Sequence, residues 1–233
     1  MLQAYIKTSK MYLLALILIP VLAVAAPEKN LFVEGQDYIR MPDSTRKNPY
    51  VEQLLMSDPH KVQVLFFFSY GCHGCEMFHT PFEQWAAKQR ANPKNKLAMY
   101  VYPVSFNVLW AALAKVYYIA TALDSSGKLN TAIFTAVQKK GLKLWEPEVL
   151  KKFLMQNGYT GVQIEQASNS FMVNRQVKRA DDLSKAYSVT ATPDVIINGP
   201  VHSYKIDMAK AGNNIPRMIE ILNYLVARET KLM

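Results

Sequence analysis

Cys72 and Cys75 are the only two cysteines in a chain of 233 residues, and they stand three apart in Cys72-His73-Gly74-Cys75. On the first turn of a helix that spacing brings two sulfurs within bonding reach, which is what reversible thiol–disulfide exchange requires. The pair follows directly on the run Val62-Gln63-Val64-Leu65-Phe66-Phe67-Phe68. Continuous apolar text with β-branched and aromatic residues predicts a strand covered on both faces. A strand that passes into a helix at Cys72 puts the first sulfur at the positive end of the helix dipole, where thiolate is favoured over thiol. Two other chemistries stay open for these residues. A structural disulfide is one, although so short a loop constrains little chain entropy. A zinc or copper site is the other: Cys72, Cys75 and His79 fall on one helix face, and His73 or His60 could add a fourth ligand. Neither a second Cys-x-x-Cys nor a His-x-x-x-His supports that site.

The compartment follows from the first 25 residues. Lys7 and Lys10 form a basic start, Met11 to Val24 is apolar, and Ala23-Val24-Ala25 is a small-x-small cleavage site, so a secretory signal cut after Ala25 is expected. The rival is an uncleaved anchor, for which the stretch is short, because a spanning helix needs roughly 20 apolar residues. Export places the cysteine pair where disulfides are made. The formal net charge is +9, and loss of Lys7 and Lys10 would leave +7. No basic cluster is interleaved with stacking aromatics, so nucleic-acid binding is not expected. The pairs Lys139-Lys140 and Lys151-Lys152 read as solvated helix faces.

The elements that must position the pair are legible as patterns. Residues 26 to 60 are polar and broken by prolines, with a short strand expected at 37–40 and a helix at 50–56. After the strand at 62–68 come a helix over 72–89 and a second strand over 97–104. From Leu109 to about Ala186 all segments read helical: 109–123, 131–140 closed by Gly141, a third opened by Glu146-Pro147-Glu148 and closed by Gly158, and a fourth over 162–186 that could be broken. The β pattern returns at Val195-Ile196-Ile197 and 201–206, with Asn198-Gly199 between them as a hairpin turn. Asn214 caps a last amphipathic helix over 215–228. Half of the chain is apolar, enough for a sizeable core, and the three tryptophans Trp85, Trp110 and Trp145 read as parts of it.

Thr192-Pro193 stands at the start of the strand at 195. Taken alone an X-Pro bond is trans in all but ~5–6% of cases. A cis bond here would leave a backbone edge unpaired beside the sulfurs.

Strand, Cys-x-x-Cys and helix, followed much later by x-Pro, strand, turn, strand and helix, resembles the thioredoxin fold. The helical block between those halves resembles the insertion of the DsbA family of periplasmic thiol oxidases. Leu65 to Cys75, Val189-Thr190-Ala191-Thr192-Pro193 and Ile197-Asn198-Gly199 match the two landmark regions of that family, and Phe32 to Tyr38 resembles its first segment. The resemblance implies an α/β thioredoxin-like fold with an inserted all-helical domain: residues 1–25 as signal, 26–107 and 187–233 as the two parts of the thioredoxin-like domain, and 108–186 as the insertion. It implies Cys72 as the attacked, exposed sulfur, Cys75 as the resolving thiol, and Thr192 with a cis Pro193 facing them. It also implies no cofactor beyond the disulfide, reduced or unfolded exported proteins as substrates, and a quinone-linked membrane oxidase of the DsbB type as the re-oxidising partner.

Two departures from the family bear on tuning. The dipeptide between the cysteines, often Pro-His, is His73-Gly74, so His73 next to Cys72 would stabilise its thiolate if protonated. A buried acid that many relatives carry six residues before the first cysteine is replaced by Phe66. A disulfide isomerase or reductase of the same fold is the alternative function. Only the 46 residues 26–71 precede Cys72 after the expected cut, and they must include the fold's own first strand, which argues against the N-terminal dimerisation domain usual in isomerases of that compartment; dimerisation without such a domain stays open. A Cys/His metal-binding chaperone is the alternative of another class.

Overall fold

The computed structural model of the protein describes residues 31–92 and 95–233. The expected signal segment lies outside the described residues. Ile39–Arg40 forms a short strand β1, followed by a single turn α1 (Asp43–Arg46) and helix α2 (Pro49–Ser57), which Asn48 caps ahead of a proline at its first position. Strand β2 (Val62–Phe68) has all seven residues buried. Helix α3 (His73–Ala91) and strand β3 (Leu97–Pro103) come next. Five helical segments then occupy 108–186: α4 (Val108–Leu123), α5 (Lys128–Phe134) running on into a π turn (Thr135–Lys139), α6 (Pro147–Gln156), α7 (Gly161–Ser168) and α8 (Phe171–Ala186). Strands β4 (Asp194–Asn198) and β5 (Ser203–Asp207) and helix α9 (Ile215–Thr230) complete the chain.

The strands form one sheet in the order β1-β5-β4-β2-β3, with β2 and β3 parallel and the other neighbours antiparallel. This is the mixed α/β, thioredoxin-like core with a helical insertion that the sequence led us to expect. Alternation along β2 assigns its two faces. Phe66 packs on Phe78 and Phe82 of α3, with ring centroids 5.3 and 4.9 Å away. Phe67 points the other way, to Tyr102 at 5.6 Å and Tyr187 at 6.1 Å. Helices α3 and α9 cover the first face. On the second, α8 packs on α2, α4 and β3, so the last helix of the insertion also roofs the sheet.

Several boundaries differ from expectation, each for a local reason. The strand expected at 37–40 shortens to Ile39–Arg40 because the Asp37 carboxylate turns back to accept from the Val33 amide at 2.8 Å and pairs with Arg217. The segment 162–186 is two helices, broken at Asn169–Ser170, and the first opens earlier on a capping box of Thr160 and Gln163. The helix expected from 131 begins at Lys128 and ends in the π turn.

Asn198-Gly199 is not a two-residue turn. Asn198 is the buried last residue of β4, and the connection runs through Gly199–His202, closed by the Gly199 amide to the His202 carbonyl at 2.8 Å. The Asn198 amide donates to the Tyr187 hydroxyl at 2.7 Å and to Gln63 Oε1 at 3.3 Å, while its oxygen accepts from the Ser203 hydroxyl at 2.8 Å. A buried polar network thus claims the side chain that turn chemistry would have exposed, and a Cβ on Gly199 would collide with the Glu229 carboxylate. Asn198→Ala strands the Tyr187 hydroxyl in the core and removes one of the two partners of the Ser203 hydroxyl, which still accepts from Arg46 at 3.1 Å. Urea denaturation should show a loss of about 2 kcal/mol, where an exposed turn residue would cost only a few tenths.

Candidate active site

Parallel pairing of β2 and β3 brings the segments that follow both strands to the same end of the sheet, the carboxyl end where ligands of open α/β sheets gather. Ser69 starts the turn there: its hydroxyl accepts from the Gly71 amide at 3.1 Å and its carbonyl from the Cys72 amide at 3.0 Å. Cys72, in extended backbone (φ −99°, ψ 116°), is the N-cap of α3. Its sulfur accepts the Cys75 amide at 3.3 Å, the place usually held by a Ser, Thr or Asp oxygen. Cys72 is half-buried and Cys75 fully buried, and both are free thiols in this structure.

The opposite wall is the loop before β4. Thr192–Pro193 is a cis peptide, and the Cys72 thiol donates to the Thr192 carbonyl at 3.4 Å across 120 positions of sequence. The Thr192 hydroxyl is buried with no partner at ordinary hydrogen-bond distance, so its proton is free to turn to the Cys72 thiolate. Gly74 is where the loop comes closest to the motif, since a Cβ there would stand 3.2 Å from Pro193 Cδ and 3.9 Å from Cys72 Sγ. His73 is exposed and bonds to neither sulfur, which leaves Gly74 as the member of the dipeptide in contact with the opposite wall.

The two thiols are electrostatically unlike. The Cys75 thiol bonding to Cys72, the Thr192 hydroxyl and the amides of Cys75 and Gly74 bring Cys72 down to about 6, against the upward push of burial. Burial drives Cys75 well above the ordinary thiol range, and the neighbouring Cys72 adds to it. Such a pair stores its negative charge on the accessible sulfur and keeps the inner one protonated.

The metal reading finds no support in the geometry. His79 turns away to the insertion, stacking on Phe134 at 5.0 Å with Nε2 3.4 Å from the Thr131 hydroxyl, and among the described residues no three His, Cys, Asp or Glu side chains are grouped to hold an ion.

A profile of the family described as "DSBA-like thioredoxin domain" matches residues 63–218, two thirds of the chain. The chain belongs to this family. Among curated proteins it is 34% identical to the thiol:disulfide interchange protein DsbA of Burkholderia cepacia, over 71% of this chain and 74% of that one. It is 28% identical to DsbA of Azotobacter vinelandii, over 84% and 83%. Among solved structures it resembles the crystal structure of Pseudomonas aeruginosa DsbA with a TM-score of 0.72 at 23% identity, covering 86% of this chain and 96% of that one, a likeness of fold.

Against the DsbA pattern, Phe66 stands in a wholly aromatic setting, so no carboxylate of β2 lies under Cys75. The structure does bury an acid nearby that the sequence did not flag. Asp194, next to Pro193, is 1% exposed; burial pushes its carboxyl up to about 7, and Lys205, 3.9 Å away, offsets this only partly. Asp194 pairs with Phe67 across the sheet whereas Phe66 pairs with Val195, so Asp194 lies on the face away from α3 and does not replace the missing acid.

Trp110 was also missed. Trp85 is core, but Trp110 is half-buried, lies over Gly71 where a Cβ would meet its indole at 2.7 Å, and stacks on Phe106 at 5.5 Å. Phe106 is 42% and Val108 89% exposed, giving an apolar rim beside Cys72. The available signal was position: apolar residues just after β3, at the sheet end that carries Cys72.

Titration of the reduced protein by thiolate absorbance near 240 nm should give a midpoint near pH 6. Thr192→Val should raise it by roughly half to one unit through loss of a donor to the thiolate. Because the folded value lies below the ordinary thiol value of 9.0, the reduced fold gains stability as pH rises from about 6 towards 9 and loses it as pH falls through about 6.

Proposed function

We propose that this DsbA-family thiol:disulfide oxidoreductase works as an oxidase that donates a Cys72–Cys75 disulfide to exported proteins as they fold. The observation that carries this reading is the asymmetry of the pair, with a half-buried Cys72 brought near 6 by the Cys75 thiol, the Thr192 hydroxyl and the helix amides, and a Cys75 kept protonated by burial. A substrate thiolate attacks Cys72 Sγ of the oxidised pair. The Cys72–Cys75 bond breaks, a substrate–Cys72 bond forms, and Cys75 leaves and takes up a proton. The substrate's second thiolate then attacks the substrate sulfur of that mixed disulfide and expels Cys72 as thiolate. The substrate loses two electrons and the protein gains them. A leaving thiol of low pKa departs quickly and favours the dithiol form of the protein, so donation runs downhill.

Thr192 Oγ1, buried and unpaired, is placed to donate to the thiolate as it forms. Pro193 and Thr192 on one side and Trp110 with Phe106 on the other make a binding edge suited to an unfolded chain with exposed apolar residues. Export through a signal cut after Ala25 belongs to the same reading and rests on the basic, apolar and small-x-small pattern of the first 25 residues, while residence in the periplasm and re-oxidation by a quinone-linked membrane oxidase of the DsbB type rest on the family resemblance.

The oxidised protein should oxidise a reduced two-cysteine peptide stoichiometrically. Cys72→Ser should abolish this, and Cys75→Ser should accumulate the mixed disulfide, read by mass spectrometry. A protein that reshuffles scrambled disulfides well but oxidises the peptide poorly would make it an isomerase instead.

A further inference from the structure

One contact of the insertion falls on the redox helix itself. Glu76 occupies the first turn of α3, directly after Cys75, and its side chain is only 18% exposed. A helix has one positive end, and a carboxylate there is stabilised by the same unpaired amides and dipole that stabilise the Cys72 thiolate. Two negative groups on one turn oppose each other. Left alone, Glu76 would work against the thiolate that disulfide donation requires. Lys139 answers it, with Nζ 3.1 Å from Glu76 Oε1.

Lys139 arrives by an unusual backbone. It is the last residue of the π turn Thr135–Lys139, in which the Lys140 amide bonds to the Thr135 carbonyl at 3.1 Å, five residues back. Such turns are rare and often sit at functional sites. The residue before it, Gln138, donates to the Tyr70 carbonyl at 2.6 Å, and Asn130 of α5 accepts from the Tyr70 hydroxyl at 2.6 Å. Phe134 packs edge-on against the Tyr70 ring at 4.8 Å. Consecutive side chains of the turn therefore grip the redox motif on both sides of the cysteines: Gln138 on Tyr70 before them, Lys139 on Glu76 after them. The groups with charge or protons to exchange around Cys72 are then His73, Cys75 and Glu76 on its own helix, Asp194 behind the opposite loop, and Lys139 from the insertion.

We propose that Lys139, anchored by the π turn through Gln138, is an electrostatic positioning residue of the redox site: it neutralises Glu76 so that the positive end of α3 is left to the Cys72 thiolate. The inference deepens the oxidase function proposed above and rests on it. Lys139 touches no reacting atom and acts only through Glu76.

The test is a double-mutant cycle on the full-length mature protein, with Lys139→Met, Glu76→Gln and the pair, read by the thiolate titration of Cys72 and by equilibration with glutathione. Lys139→Met should raise the thiolate midpoint by about half a unit, a roughly threefold change in the thiolate-to-thiol ratio near the midpoint, and should shift the glutathione equilibrium towards the disulfide by a similar factor. In the Glu76→Gln background the same change should do nothing. At 1 M salt, where the screening length falls to ~3 Å, the single-mutant shift should shrink. An unchanged midpoint in Lys139→Met would overturn the proposal, and so would a shift of equal size with Glu76 already neutral. Wild-type protein that titrates and responds as described but fails to oxidise peptides would count against the oxidase function and leave the pairing intact.

Discussion

The amide of Cys75 donates to the sulfur of Cys72, and much of the molecule is arranged around that one bond. It makes the reactive sulfur the cap of its own helix, so the helix end that needs an acceptor and the thiol that needs to be an anion satisfy each other. For the cap to form, the chain must leave β2 and enter α3 within a tight turn, which Ser69 sets with its hydroxyl and carbonyl. The strand must also end at a fixed depth, and burial of all seven residues of β2 between two layers holds it there. The buried second thiol follows from the same geometry, because three residues along the helix points inward from the cap.

The insertion is joined to this centre by packing as well as by sequence. Phe68, at the end of β2, meets Tyr117 of α4 at 5.2 Å and Phe134 of α5 at 5.7 Å, so the last strand residue before the motif is wrapped by insertion side chains. Tyr70 is held at its carbonyl and its hydroxyl by the same region. Helix α8 meanwhile covers the sheet face opposite α3. Aromatic burial supplies the stability of this join, and the two hydrogen bonds to Tyr70 supply its direction. An apolar contact tolerates small slips, whereas a buried carbonyl bonded at 2.6 Å does not.

Two substitutions relative to the DsbA pattern change the surroundings of the pair without changing its form. Phe66 stands in an aromatic cluster with Phe78 and Phe82 where the family pattern has an acid, and burial with no carboxylate of β2 nearby keeps charge off Cys75. Gly74 in place of a side chain lets Pro193 approach the helix, so the wall opposite Cys72 is close and uncharged. The charge balance of the pair is consequently set by hydrogen-bond donors, the Cys75 thiol first and then the Thr192 hydroxyl and the amides, more than by neighbouring ions.

Local pattern was sufficient for the strand–Cys-x-x-Cys–helix unit, the helical block, the last helix and its Asn214 cap, because each depends on periodicity and on residues a few positions apart. The Cys72 cap is equally local, since both partners lie within one turn, although the sequence pattern puts Cys72 inside the helix rather than at its cap. What tertiary structure alone decided involves residues far apart in sequence. Asn198 and Gly199 have turn chemistry, yet the buried hydroxyls of Tyr187 and Ser203 claim the asparagine, and a buried polar group left unpaired costs more than a turn preference gives. Trp110 has the composition of a core residue, yet the sheet end where β3 stops leaves it half-exposed over Gly71. Lys139 is the solvated residue its sequence suggests, 64% exposed, and what the sequence does not record is that the π turn ends with its ammonium 3.1 Å from Glu76. Composition and spacing specify which elements form, whereas the partners a side chain finds depend on where distant elements are packed, and no local pattern records that distance.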